Sequence, residues 1–173
     1  MANNRRYLGF WIRAWLPVLV CIALVALEST ANFGSDKTTG PLRRFWELLF
    51  GPVSDPAWDP IHLAIRKSGH FAGYGIIGLA WLRAWWMTMP NSRFLPDALL
   101  SLLGSGLIAT WDEWHQASLP NRGSSPLDVL LDCCGALSMQ LFVYAFLRIF
   151  YPKKLRKKKR WQAKIRPPEF DGF

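Results

Sequence analysis

Charge is scarce in this sequence. Only 19% of its 173 residues are Asp, Glu, Lys or Arg, below the roughly 25% typical of soluble domains, which argues against a water-facing globule. Acids are the scarcer sign, 12 against 21 Lys and Arg. The basic excess is not spread over a surface: residues 153–173 hold nine bases and two acids, a net +7 out of the chain's +9, leaving +2 for everything before them. A DNA-binding face is therefore not implied, and no nucleic-acid partner is expected. Cysteine is limited to Cys21, Cys133 and Cys134, all in apolar runs and none at zinc or thioredoxin spacing, so neither a disulfide framework nor a redox motif is indicated. Internal repeats are absent, and the length suits one domain.

What the chain has in abundance is apolar surface, 51% of residues, together with 10 Trp, as suits a chain that meets lipid. Four apolar stretches run over about Trp11–Leu27, Lys67–Met89, Asp97–Gln116 and Leu127–Tyr151. A helix needs about 20 residues, at ~1.5 Å each, to cross a ~30 Å hydrocarbon core. The first stretch is barely that long. Arg5, Arg6 and Arg13 precede it and Ser29-Thr30-Ala31 follows it, so a cleaved signal peptide stands as the alternative to an uncleaved anchor. Basic loops resist translocation. Placing both termini and the 90–96 loop in the cytoplasm puts 15 bases inside and six outside. The expected architecture is all-α: a polytopic protein of the cytoplasmic (inner) membrane, with four transmembrane helices in a domain over 1–151 and a polybasic cytoplasmic tail over 152–173. That tail would face anionic lipid or simply fix topology. Between helices one and two, Pro41–Gly51 mixes charge with aromatics between a helix-starting Pro and a helix-ending Gly, which predicts an interfacial helix, a solvated loop being the alternative. Gly51–Pro60, with Pro52, Pro56 and Pro60, reads as a turn-rich connector.

Ionisable groups in a spanning segment call for a partner, a wet cavity or a position near the end. Helical spacing places Lys67, His70 and Tyr74 on one face of helix two, and Asp112, His115 and Gln116 on one face of helix three with Glu113 beside it. Asp128 and Asp132 stand a turn apart in helix four, and Arg122 occupies the preceding turn. With this topology all of them lie in one layer at the outer face, while the inner halves are nearly free of acids. Arg83 is the exception, long enough to reach the inner interface. Four acids against Lys67 and Arg122 cannot all stay ionised in low dielectric, which calls for protonated carboxyls, charged histidines or a metal ion. Such a layer marks a functional site; ion pairs of the Lys67–Asp112 or Arg122–Asp128 kind that only pin helices are the plainer reading. His70, Asp112, His115, Asp128 and Asp132 are suitable ligands for a divalent ion, but His-Glu-x-x-His spacing is missing and no cofactor is expected. Gly69, Gly73, Gly78, Gly104 and Gly106 are expected to let helices approach closely, and Trp111 and Trp114 to sit in an interfacial belt.

The segments Lys67-x-x-His70-Phe71-x-x-Tyr74, Asp112-Glu113-x-x-Gln116 and Arg122-x-x-Ser125-x-x-Asp128-Val129-x-x-Asp132-x-x-Gly135 resemble the VanZ-like family, named for a protein associated with low-level resistance to the glycopeptide teicoplanin. The resemblance covers about residues 13–150. It implies a small integral membrane protein and leaves the reaction open; the family often has Asn where this chain has Asp132. A fainter similarity joins Ser68-Gly69-His70 and Arg122-x5-Asp128-x3-Asp132 to lipid phosphatases of the phosphatidic acid phosphatase type, with Asp128 where their nucleophilic His belongs.

The leading functional expectation is a site open to the outer leaflet that binds or modifies a membrane lipid or lipid-linked envelope component, or a lipophilic glycopeptide. Lys67 and Arg122 would hold phosphate, with Tyr74, Gln116, Ser125 and Asp132 also binding ligand. His70, Asp112, Glu113, His115 and Asp128 are the candidates for proton transfer. Asp112 and Arg122 are expected to matter for function rather than for membrane abundance. The competing expectation is a non-enzymatic scaffold that recruits a partner through its aromatic outer segment and basic tail. Size and the lack of inner acids disfavour a transporter.

Overall fold

The computed structural model describes residues 2–89, 93–119 and 124–151. Arg122, residues 90–92 and the polybasic segment 152–173 lie outside the described residues. Five α-helices follow in chain order: α1 Ala2–Glu28, α2 Ser35–Phe50, α3 Asp55–Thr88, α4 Phe94–Ala117 and α5 Pro126–Phe150, with a short 3-10 turn at Ala31–Phe33. No strand occurs among the described residues. The central helix is α3, which packs on α1, α4 and α5, while α2 meets the start of α3.

Three helices are long and apolar enough to cross a membrane, at Arg6–Glu28, Phe94–Ala117 and Pro126–Phe150. Only 22% of each of those windows is buried inside the bundle, so most of their apolar surface faces outward, where lipid would solvate it. Arg66, Lys67, His70 and Arg83 punctuate α3, which lies outside that set.

Helix starts differ from the expected ones for local reasons. The expected connector Gly51–Pro60 shrinks to four residues, because α3 begins at Asp55, twelve residues before Lys67. Pro56 falls in its first turn, where a missing N–H costs nothing. Pro60 follows one turn later and is absorbed inside the helix. The 34 residues of α3 rise ~51 Å at ~1.5 Å each, more than a ~30 Å core requires. Likewise α2 starts at Ser35 rather than Pro41, with the Thr39 hydroxyl donating to the Ser35 carbonyl (2.8 Å). Gly51 ends α2 at φ 90°, a backbone that favours glycine, and its N–H bonds the Glu47 carbonyl (3.0 Å).

Arg43 locks the corner between α2 and α3. Its guanidinium donates to Glu47 (3.0 Å), to Asp55 (2.5 Å) and to the Val53 carbonyl (2.5 Å), and hydrogen bonding by Asp55 and Glu47 raises its pKa further. A second clip is His62, buried near the start of α3 and stacked on Trp58, with Nε2 3.1 Å from the Thr38 hydroxyl and Nδ1 3.2 Å from the Thr39 hydroxyl. Thr39 already donates at short range to Ser35, so it accepts from Nδ1–H, and Thr38 donates to Nε2; the clip is satisfied by neutral imidazole. Burial, reinforced by Arg66 and opposed by Asp59, holds the His62 pKa below its ordinary value. A state with α2 detached therefore takes up a proton first as pH falls through about 6.5. Docking of α2 is at full strength above that pH and weakens below it. Spin labels on α2 and α3 should report widening distances between about pH 7 and pH 5, and a pH-independent distance in His62→Gln; equal widening in that variant would dismiss the clip.

Pro17 interrupts α1 and leaves the Arg13 carbonyl without its helical donor. Arg83 of α3 supplies one: its Nη1 lies 2.7 Å from that carbonyl and 3.4 Å from the Ala14 carbonyl. Arg83 thus mends a proline break as well as lying toward the opposite end from the charged layer.

Close approach is concentrated where α3 meets α5. A Cβ at Gly78 would meet Ala136 Cβ at 2.8 Å and Cα at 2.9 Å, and one at Gly75 would meet Met139 Cγ at 2.8 Å. Gly135 lies directly on the Phe71 carbonyl. Gly104 sits on the Trp81 ring at 2.9 Å and Gly106 makes ordinary contact with Cys133 at 3.4 Å, but Gly69 and Gly73 face open space, so the expected packing role does not extend to them.

Candidate functional site

At the end of the bundle where α1 and α4 finish and α5 begins, a cleft of about 290 Å³ opens between α3, α4 and α5. Leu63, Arg66, Lys67 and His70 form its α3 wall, at the three- and four-residue steps that put side chains on one face. Glu113 and Gln116 come from α4, and Ser125, Asp128 and Leu131 from the start of α5. A wider, shallower hollow of about 390 Å³ shares Glu113, Ser124 and Ser125 with it and runs out past Trp114, Pro126 and Val129. A polar recess and an apolar one therefore adjoin.

Lys67 pairs with Asp128, not with Asp112. His70 turns Nδ1 toward Asp132, 3.5 Å from Oδ1. Asp132 is 0% exposed, and neither of its oxygens has a hydrogen-bond partner among the described residues; the contact with His70 Nδ1 is too long for a good hydrogen bond. Glu113 accepts from the Ser125 N–H (2.9 Å), and Ser125 caps α5, its hydroxyl accepting from the Leu127 N–H (3.2 Å). The turn into α5 is thus tied to α4.

Asp112 lies behind the cleft wall. It accepts from the Tyr74 hydroxyl (3.3 Å) and the Gln116 amide (2.9 Å), and all three groups are buried. His115 points elsewhere, its Nδ1 2.8 Å from the hydroxyl of Ser29, just past the end of α1, and its ring stacked on Trp111. Helix geometry explains the division: at about 100° per residue, positions 113 and 116 lie to one side of 112 and position 115 to the other. Trp114 is 74% exposed, and Trp111 also faces outward.

Sequence reasoning missed Arg66, Leu63, Ser124 and Leu131. Arg66 was hidden by a helix start placed one residue after it; extending the Lys67, His70 spacing backward would have found it. Arg66 makes no hydrogen bond or ion pair with any described residue. The acids are divided among separate partners, and no group of three or more His, Cys, Asp or Glu among the described residues could hold a metal ion.

The far end of the bundle is not apolar throughout. Asp97, Ser101 and Ser105 of α4 are 0% exposed. Ser101 donates to the Gly78 carbonyl (2.7 Å) and accepts from Gln140 (2.9 Å). Asp97 is thus a buried acid in the half expected to be nearly free of them. Between this cluster and the cleft, in the order of residues along α3 and α4, the buried Ile77 and Ala109 pack together.

No curated protein and no solved structure matches this chain. One protein-family model does: that of VanZ/LLP1, over residues 13–149, a range that holds every helix lining the cleft. A match over most of the chain, on an all-helical fold with three helices long and apolar enough to cross a membrane, identifies it as a member of the VanZ/LLP1 family.

Proposed function

We propose that this chain is a multi-pass protein of the cytoplasmic membrane whose cleft takes the phosphate-bearing head group of a lipid, or of a lipid-linked envelope component, from the outer leaflet. On this reading α3 also crosses the membrane, its first turns standing out beyond the lipid. The helix α2, which has no buried residue and exposes Phe45, Leu48 and Phe50, lies on the outer interface. Both termini are cytoplasmic, following the distribution of Lys and Arg.

The observation that supports this most is the junction of the charged cleft with the apolar hollow through Glu113, Ser124 and Ser125. An amphiphile has a head for one and a chain for the other. Lys67 is already neutralised by Asp128, which leaves Arg66, among the described residues, as the cleft-lining cation whose planar fork can grip two phosphate oxygens. Glu113 and Asp128 would take hydroxyl or ammonium hydrogens of the same head group. An effect on teicoplanin susceptibility would follow if the bound component is one the antibiotic also meets.

Arg66→Gln should weaken binding of phosphatidic acid to the full-length protein in nanodiscs roughly 10- to 100-fold, the range of one or two charge-assisted hydrogen bonds. Its melting temperature should not change, since no hydrogen bond or ion pair to a described residue is lost. Native mass spectrometry of both forms measures the first and fluorescence melting the second. Equal affinity in the two proteins would remove Arg66 from the site.

A further inference from the structure

We propose that the cleft is hydrolytic: His70, oriented by the buried Asp132, is the general base that activates water against the phosphorus of a lipid phosphate monoester. The inference rests on the reading of the cleft as a head-group site.

Asp132 is the starting point. A carboxylate at 0% exposure with neither oxygen hydrogen-bonded is an expensive way to fill space, several kcal/mol even after relaxation. An amide or an aliphatic side chain would pack there at lower cost. The group within reach is His70 Nδ1, 3.5 Å away. A carboxylate facing Nδ1 selects the tautomer with its proton there, leaves the lone pair on Nε2, and stabilises the imidazolium that forms when Nε2 takes a second proton. Because His70 also lines the cleft, the nitrogen turned away from Asp132 is the one offered to a ligand. The ring is further held by Tyr74, stacked at 6.4 Å and 15°, whose hydroxyl is fixed on Asp112.

The remaining parts stand around that nitrogen. Arg66 lies one turn earlier on the same face of α3, placed for non-bridging phosphate oxygens. Glu113 lines the opposite wall on α4; with Oε2 held by the Ser125 N–H, Oε1 is free to carry a proton for the leaving group. Base and acid on opposite walls suit an in-line displacement. Water oxygen bonds to phosphorus while Nε2 takes one of its protons. The bond from phosphorus to the lipid oxygen breaks, and Glu113 protonates that oxygen. Lipid alcohol and inorganic phosphate leave, and the imidazolium proton returns to Glu113 through solvent, so the net consumption is one water. Asp132 touches no substrate and is a positioning residue.

The test uses full-length protein in nanodiscs containing phosphatidic acid or, separately, a polyprenyl phosphate, with phosphate release and lipid binding measured on the same preparations. Wild type should release phosphate from at least one of them. His70→Gln should lose about 100-fold or more of kcat while binding stays within about twofold. Asp132→Asn should lower kcat by a similar factor with KM nearly unchanged, a split that a merely structural role would not give. Binding without phosphate release from either lipid in wild type overturns the hydrolytic proposal and leaves the binding reading standing. Absence of binding as well overturns both. Full turnover in His70→Gln overturns the assignment of the base.

Discussion

Gly135→Ala should melt far below the wild-type protein and accumulate poorly in membranes. A Cβ at this position falls on the Phe71 carbonyl, with the carbonyl carbon at 2.9 Å and Phe71 Cα at 3.1 Å. The obstacle is helix backbone, which has no rotamer to change, so α3 and α5 must separate. Overpacking in cores costs typically 1–3 kcal/mol; a clash with main chain at a helix crossing belongs at about 3 kcal/mol or above. The damage also reaches the cleft. Lys67 and His70 lie within a turn of Phe71, and their partners Asp128 and Asp132 lie just before Gly135 in the chain, so parting the crossing parts both contacts. Gly69→Ala and Gly73→Ala are the controls. Nothing lies within 4 Å of a Cβ at either position, and alanine's helix propensity should leave them neutral or more stable by up to about 1 kcal/mol. Fluorescence melting of all three variants in one detergent decides the matter, and a Gly135→Ala curve that overlays the controls would falsify the crossing.

That contrast shows what the sequence could and could not say. Apolar run lengths were enough to find the bundle, and polar residues at helix spacing were enough to gather Lys67, His70, Glu113, Asp128 and Asp132 at one end of it. Both signals are local periodicities along single helices. Which acid Lys67 meets is set by the rotation of α5 against α3, and that depends on small residues whose partners lie on another helix. Gly69 and Gly135 look alike in sequence; only the crossing distinguishes them. The start of α3 was hidden for a different reason. Pro56 and Pro60 normally break helices, but the first sits where no N–H is needed and the second is tolerated a turn later, and the misplaced start concealed Arg66. The clip between His62 and the two threonines, and the repair of Pro17 by Arg83, each join segments far apart in the chain, so no spacing rule reports them.

Asp112→Leu should be the most destabilising polar substitution near the cleft, although Asp112 does not line it. Its two oxygens receive the Tyr74 hydroxyl and the Gln116 amide, and all three residues are almost fully buried. Leucine has a similar volume, but it strands two buried donors at about 1–3 kcal/mol each, for a loss of about 3 kcal/mol. Asp112→Asn keeps one acceptor and turns an NH₂ toward the other donor, so about 1–2 kcal/mol is expected. Asp112 had been expected to serve function rather than abundance. With these partners a single loss of activity cannot separate the roles, because Gln116 lines the cleft and Asp112 sets its position. A double-mutant cycle can separate them. Tyr74→Phe should cost about 1 kcal/mol in wild type but regain about 1 kcal/mol or more in Asp112→Leu, where it removes a stranded hydroxyl, a coupling of about 2 kcal/mol or more. If lipid binding falls in Asp112→Leu and recovers when Tyr74→Phe is added while melting stays low, the aspartate acts through the geometry of the wall. Additive melting losses in the double variant would show that the three groups do not form one network.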